Sequence, residues 1–349
     1  MSNSAVTVAI DAVASGEDLS ADQAQDVLRQ IMSDAVEPAQ TAAFLIALRT
    51  KGETVDELVG LARTMRELAL PVEVSGDELL DTAGTGGGVP TFNVSTTAAL
   101  VAAAAGARVA KHGNRSATSL SGSADLLEAL GARINLEPAA VAECIDDVGF
   151  GFMFAPRHHA ATRHVVPVRK ALGVRTIFNF LGPLTNPAGA TRQLVGVFDP
   201  AYLELVASAL VQLGAQRAAV VSGADGMDEI SVAGETSLLE VTPGGVTHHT
   251  VSPERVGLER GRDEDVAGGK PEENAEITRS VLRGEQGSRR TLVVLNAGAA
   301  LFVAGRAPGF DEGVRLAEKA IDSGAATDTL DRFVRKTRQL GAGAPEETA

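Results

Sequence analysis

Gly84, Gly86, Gly87 and Gly88 crowd into DTAGTGGG (residues 81–88), behind the apolar pair Leu79-Leu80 and ahead of TFNVSTT. Glycine loses more conformational freedom on folding than any other residue. The stretch therefore marks a strand that must break into a bare loop before a helix opens at NVSTT. Backbone N–H groups exposed by glycines beside a helix start make an anion site. A purely structural tight turn fits the same residues. The loop is neither GxxxxGK[ST] nor GxGxxG, and no acid follows at the spacing that would hold a ribose hydroxyl.

The same grammar recurs along the chain. ELLDTAG, ARVAKHGN and QRAAVVSGADG read as short strands ending in loops; TTAALVAAAAG and SADLLEALG read as helices closed by Gly106 and Gly131. This alternation predicts an α/β domain with a largely parallel central sheet and helices around it. SLLEVTPGGVTHHTV departs from it, as an antiparallel hairpin about Pro243-Gly244. From Glu272 the chain returns to helices, and GAGAPEETA reads as a frayed end. Ahead of residue 76 there is no strand signal. LSADQAQDVLRQIM and TVDELVGLARTMREL each open on a capping box, Ser20 with Gln23 and Thr54 with Glu57. EPAQTAAFLIALRTKG has Pro38 near its start and Gly52 past its end. The expected division is a small all-helical domain over residues 1–75 and a larger α/β domain over 76–349. The Ala- and Leu-rich helical surfaces suit a dimer contact.

With 31 Lys plus Arg against 45 Asp plus Glu, the net charge of −14 opposes nucleic acid and anionic membrane. A small phosphorylated ligand needs only a local positive site. There is no Trp and one Tyr (Tyr202), too few aromatics for base stacking. No stretch combines a basic start with an apolar run, and none approaches the roughly 20 apolar residues of a membrane span. Cys144 stands alone, so no disulfide framework is expected, and the cytoplasm is the expected compartment.

The polar stretches fall at strand ends. Asn93, Ser95 and Thr96 in FNVST either cap a helix or serve phosphate or a magnesium ion. KHGNRS gathers Lys111, His112, Asn114 and Arg115 where ligands collect in open α/β sheets. SLSGSAD adds hydroxyl and backbone donors that can fold over a pyrophosphate. Asp225, Asp228 and Glu229 in GADGMDEIS form either a surface acidic turn or a hard-cation site for Mg²⁺. RHHAATRHVVPVRK holds His158, His159 and His164 without a zinc pattern. Its Arg169 reads as a carboxylate clamp. His248 and His249 read as structural or exposed. No triad, nucleophile elbow or redox motif appears, so neither a side-chain nucleophile nor a side-chain base is expected. The set suits a reaction driven by stabilising a leaving group.

DTAGTGG, TFNVST, AKHGNRS, GSADLLEALG, PVRKALGVRTIFNFLGPLTNPAG, GADGMDEIS, GGKPEENA and LNAGAALFVAG follow one another in this order. Together they closely resemble the anthranilate phosphoribosyltransferase family, over about residues 18–335. The resemblance implies a helical domain completed by helices from about 160–185, and a homodimer formed through it. It implies transfer of 5-phosphoribose from 5-phosphoribosyl-1-diphosphate (PRPP) to the anthranilate amine, with pyrophosphate released. That is the second step of tryptophan biosynthesis from chorismate, with two Mg²⁺ per subunit. Carried over by position, Gly84, Thr85, Gly86, Gly87, Asn93, Ser95, Thr96, Lys111 and Ser123 are PRPP contacts. Gly84, Asn114, Arg169, His112, His159 and Pro183 belong to the anthranilate pocket, and Ser95, Asp228 and Glu229 to the metal. A pyrimidine nucleoside phosphorylase shares this fold but has a loop nearer KHSTGG, and a nucleic-acid-binding relative needs a basic face. One departure stands out. The family pattern reads GTGGDG, whereas GTGGG here runs to TFN one residue shorter and without the acid. Either the missing carboxylate is dispensable, its work falling to Asp228 and Glu229, or donor binding is altered.

Overall fold

The computed structural model describes residues 3–76, 78–86, 88–116 and 120–342. Gly87, and most of the tail read as frayed, lie outside the described residues. The anticipated N-terminal helices form where their caps dictate. Ser20 and Thr54 each accept a bond from the backbone N–H three residues on, and Gln23 and Glu57 reciprocate at Ala21–Met32 and Val55–Glu67. Pro38 opens Pro38–Lys51, which stops at Gly52 with φ +94°. Their apolar faces share a core with Val165, Ile177, Phe180 and Leu184. Helix Val166–Leu172 packs on Pro38–Lys51, and Phe178–Leu184 on Val55–Glu67.

Beyond residue 78 a seven-stranded sheet runs in the order β3-β2-β1-β4-β5-β6-β7. The strands are β1 (Leu79–Gly84), β2 (Arg108–Gly113), β3 (Phe150–Phe154), β4 (Arg192–Gly196), β5 (Arg217–Gly223), β6 (Thr236–Thr242) and β7 (Gly245–Val251). The first five pair in parallel, and β6 and β7 close the edge as the expected antiparallel hairpin. Successive strand residues point to opposite faces. Leu194, Ala219, Val221 and Leu238 join a core with helices Val94–Ala104 and Ser288–Val303. Val195, Val220 and Leu239 face the core that continues into the N-terminal helices. The sheet thus has helices on both sides, as a parallel sheet requires. β3 and β4 are not among the strands expected from the sequence. Both are short and glycine-bearing, and neither alternates apolar with polar residues, because both faces are covered.

Candidate functional site

The parallel strands β1, β2, β4 and β5 deliver the polar stretches to one edge, their carboxyl ends. At the end of β1, Thr85 donates its N–H to the Gly196 carbonyl (2.9 Å), and its hydroxyl accepts the Phe198 N–H (3.2 Å). Gly86 follows at φ +71°, a left-handed conformation that favours glycine. Its N–H donates to Asp228 Oδ2 at 2.8 Å across 142 residues of sequence. The loop that lacks an acid of its own therefore meets one delivered by the turn after β5. A Cβ at Gly84 would overlap that same carboxylate, and one at Gly196 would overlap the Asp228 carbonyl.

Glu229, next in chain, faces the Ser95 backbone N–H at the start of helix Val94–Ala104, which favours its ionised form. Burial first, then the neighbouring Asp228 charge, pushes its carboxyl up to about 8. Asp228 is also raised by burial, against the Gly86 N–H, which favours its ionised form. Adjacent oxygen donors that resist ionisation together fit a hard divalent cation, which would relieve both penalties. Among the described residues no cluster of three or more His, Cys, Asp or Glu is present, so any such ion would rest on these two carboxylates with hydroxyl, water or substrate oxygens.

Lys111, from β2, is buried. Its Nζ donates to the Thr82 carbonyl (2.6 Å) and lies 3.4 Å from Ser95 Oγ. Burial pulls the ammonium below its ordinary range, while Asp81 and Glu229 pull it back. Asn93 sits at the N-cap position, yet its side chain does not cap the helix. It donates to the Ser121 carbonyl (3.0 Å) and accepts from Asn274 Nδ2 (2.8 Å), tying the helix start to the loop before Ser123. Thr96 is buried with an unpartnered hydroxyl. Ser123 donates to the exposed Asn114 carbonyl at 3.3 Å.

A second group lies beside helix Phe178–Leu184. His112 Nδ1 donates to the Gly182 carbonyl (3.2 Å) and His159 Nε2 to the Thr185 carbonyl (3.1 Å), with ring centroids 5.0 Å apart. Pro183 is buried and offers its carbonyl to Gln193 Nε2 at 2.6 Å. Arg169 stacks over Phe178 at 5.2 Å, and burial lowers its pKa with no carboxylate opposing the shift. A half-buried guanidinium in that state is poised for an incoming anion.

Burial holds His112 down to about 3 and His159 to about 4. Both lie below the ordinary 6.5, so the stability they permit is complete above that pH and is lost as pH falls toward 4. Each costs about 1.4 kcal/mol per pH unit in that window. Urea denaturation at pH 7 and pH 5 is expected to show a smaller loss for His112→Asn than for the parent chain, by about 2 kcal/mol. Equal losses would refute the neutral buried pair.

Sequence reasoning missed several supporting residues. Asp81 is buried within β1, where its carboxylate accepts the His112 N–H (3.2 Å) and Asn186 Nδ2 (2.7 Å). An acid inside an apolar strand was the available signal. Gly196 and Asn296 carried none, because their partners are distant in sequence. His248 and His249, in the hairpin, pair with Glu204 and Glu240 near the surface.

This two-part architecture, with polar loops at the parallel-strand ends, is that of a glycosyl transferase. The family model for the helical bundle domain matches residues 7–69, and that for the a/b domain matches 76–327. An anthranilate phosphoribosyltransferase of Rubrobacter xylanophilus is 55% identical over 96% of this chain and 99% of its own. The crystal structure of anthranilate phosphoribosyltransferase from Thermus thermophilus superposes with a TM-score of 0.90 at 48% identity, covering 95% of this chain and 99% of that one. The Saccharomyces cerevisiae enzyme in complex with PRPP and Mg superposes at 0.89 with 28% identity, over 97% and 99% of the two chains. The same yeast enzyme has also been solved with 4-fluoroanthranilate. The chain belongs to the anthranilate phosphoribosyltransferase family.

Proposed function

We propose that the chain transfers 5-phosphoribose from PRPP to the amine of anthranilate, releasing pyrophosphate, and so performs the second step of tryptophan biosynthesis from chorismate. The observation that carries this is the meeting of the glycine loop with Asp228 at the edge where Lys111 and Ser95 also converge. The contact supports the reading in which Asp228 and Glu229 do the work of the acid missing from GTGGG.

As the C1–O bond of the donor breaks, negative charge grows on pyrophosphate and positive charge on the ribose ring. The loop residues Gly84, Thr85, Gly86 and Gly87 lie along the diphosphate end in our reading, and Asn93, Ser95, Thr96, Lys111 and Ser123 bind it and stabilise that charge through preorganised dipoles. Ser95, Asp228 and Glu229 hold magnesium, two ions per subunit in our reading, which neutralises charge on the leaving group. Arg169 grips the anthranilate carboxylate, with Asn114, Gly84, His112, His159 and Pro183 around the ring. The aryl amine is neutral at pH 7. Its nitrogen forms the new C–N bond as the C1–O bond breaks and afterward gives up a proton to water, so positioning replaces a strong base.

We place the domain boundary between residues 75 and 76, with the helices of about 160–185 joined to the first part; the family-model bounds support this. We also propose a cytoplasmic homodimer through the helical domain, on which Val8 and Ile46 are exposed. Among the described residues no helix is long and apolar enough to cross a membrane.

Loss of anthranilate fluorescence, followed with PRPP and Mg²⁺ omitted in turn, tests the activity. Loss is expected only when both are present, and no PRPP-dependent loss would overturn it. Arg169→Ala is expected to raise the KM for anthranilate about 10–100-fold, as when a charged hydrogen bond is removed. The KM for PRPP should barely move; an equal rise in both would remove Arg169 from the carboxylate site.

A further inference from the structure

Helix Ser288–Val303 is apolar through its middle, where Leu292, Val293, Val294, Leu295, Ala297 and Ala299 are fully buried. Among them stands Asn296, with no exposure at all. An amide in such surroundings is retained only when its hydrogen bonds are met. Here they are met largely by one residue from another part of the chain. Asn296 Oδ1 accepts the Ile230 N–H at 2.9 Å, and its Nδ2 donates to the Ile230 carbonyl at 3.0 Å and to the Leu292 carbonyl at 2.9 Å. The side chain thus pairs with both backbone groups of Ile230 as a neighbouring strand would, fixing its position and its orientation.

Ile230 directly follows Asp228 and Glu229. Two residues earlier, the Asp228 backbone lies against Gly196, so closely that a Cβ there would overlap the Asp228 carbonyl. Ahead of the carboxylates, Asp225 Oδ1 accepts the Met227 N–H at 3.0 Å. The helix bearing Asn296 is itself seated without slack. A Cβ at Gly298 would crowd Val314, and one at Gly313 would overlap the Gly298 carbonyl. A rigid helix therefore presents one amide to the shoulder of the turn.

We infer that Asn296 is a positioning residue for the Asp228–Glu229 turn, setting its grip on magnesium and the donor diphosphate without touching either. This rests on the function proposed above. Groups that orient metal ligands typically change metal affinity about 10–100-fold when removed.

The test compares the parent chain with Asn296→Ala and with Asn296→Leu, which keeps the packing volume but removes the amide. Parent turnover with PRPP, Mg²⁺ and anthranilate is measured first, and its absence would fail the proposed function rather than this inference. In folded variants, judged by circular dichroism, half-saturating Mg²⁺ and the KM for PRPP are expected to rise about tenfold. The KM for anthranilate should stay within about twofold. Unchanged Mg²⁺ dependence, or equal rises in both KM values, would overturn the inference. Amide hydrogen exchange in the parent chain gives a readout independent of turnover, and decides the matter if neither variant folds. The Ile230 N–H is expected to exchange as slowly as amides in the middle of Ser288–Val303, and exchange as fast as an open turn would overturn the assignment.

Discussion

Asp228→Ala combined with Glu229→Ala is expected to lower turnover about 10³-fold at saturating Mg²⁺, the scale of losing a preorganised charge-stabilising group. The two carboxylates are raised in pKa by burial and, for Glu229, by its neighbour, so the fold holds them against their own preference. Such an arrangement persists where activity requires it and stability does not. The sign of the stability change follows. A carboxyl held above its ordinary value weakens the fold once pH exceeds that value, and the penalty grows until the folded pKa, about 8 for Glu229, is passed. Measured at pH 8 with EDTA, Glu229→Gln should therefore melt higher than the parent chain while turning over far more slowly. Excess Mg²⁺ should narrow the gap in melting temperature, because an ion bound only to the folded parent stabilises it. A variant that melts lower in EDTA, or that keeps its Mg²⁺-dependent rate, would contradict the assignment.

What could be read before the structure was whatever is written locally. Capping boxes name their own partners within three residues, so Ser20–Gln23 and Thr54–Glu57 marked helix starts that the fold reproduces. Strands that end in a conspicuous loop, such as β1, β2 and β5, were equally visible. β3 and β4 were not, because FGFMF and RQLVG are buried along nearly their whole length and show no alternation of apolar with polar residues. The same contrast runs through the site. Gly86, Lys111, Asp228 and Glu229 stand out as residue types, whereas the contact between Gly86 and Asp228 is made by topology. β1 and β4 are neighbours in the sheet, β4 pairs with β5, and the turn after β5 folds back across both strand ends. Asn93 shows how a correct position can conceal its purpose. It occupies the helix N-cap, but its side chain serves Ser121 and Asn274 instead.

Gly196→Ala is expected to damage turnover strongly, because among the described glycines a Cβ at Gly196 would come nearest to a neighbouring backbone atom, 1.7 Å from the Asp228 carbonyl oxygen. Gly196 ends β4 beside Gly84 of β1, and its missing side chain leaves the space that the Asp228 backbone occupies. The obstacle is a backbone carbonyl, not the end of a flexible side chain, so rotation cannot relieve it. Two residues on, Asn296 holds Ile230 by both backbone groups and resists a shift of the turn. Either β4 bends, at a cost of about 1–3 kcal/mol for an overpacked core, or the turn shifts and carries Asp228 off the Gly86 N–H. A displacement of about 1 Å at a reacting centre is enough to cost about 10²-fold in rate. Turnover should therefore fall about 10²-fold, with the KM for PRPP rising more than that for anthranilate and only a modest drop in melting temperature. Gly189→Ala is the matched control. That glycine has a left-handed φ of +67° with open space where a Cβ would go, so it introduces strain without touching the turn. If the two substitutions proved equally harmful to PRPP binding, crowding of Asp228 could not be the reason β4 ends in glycine.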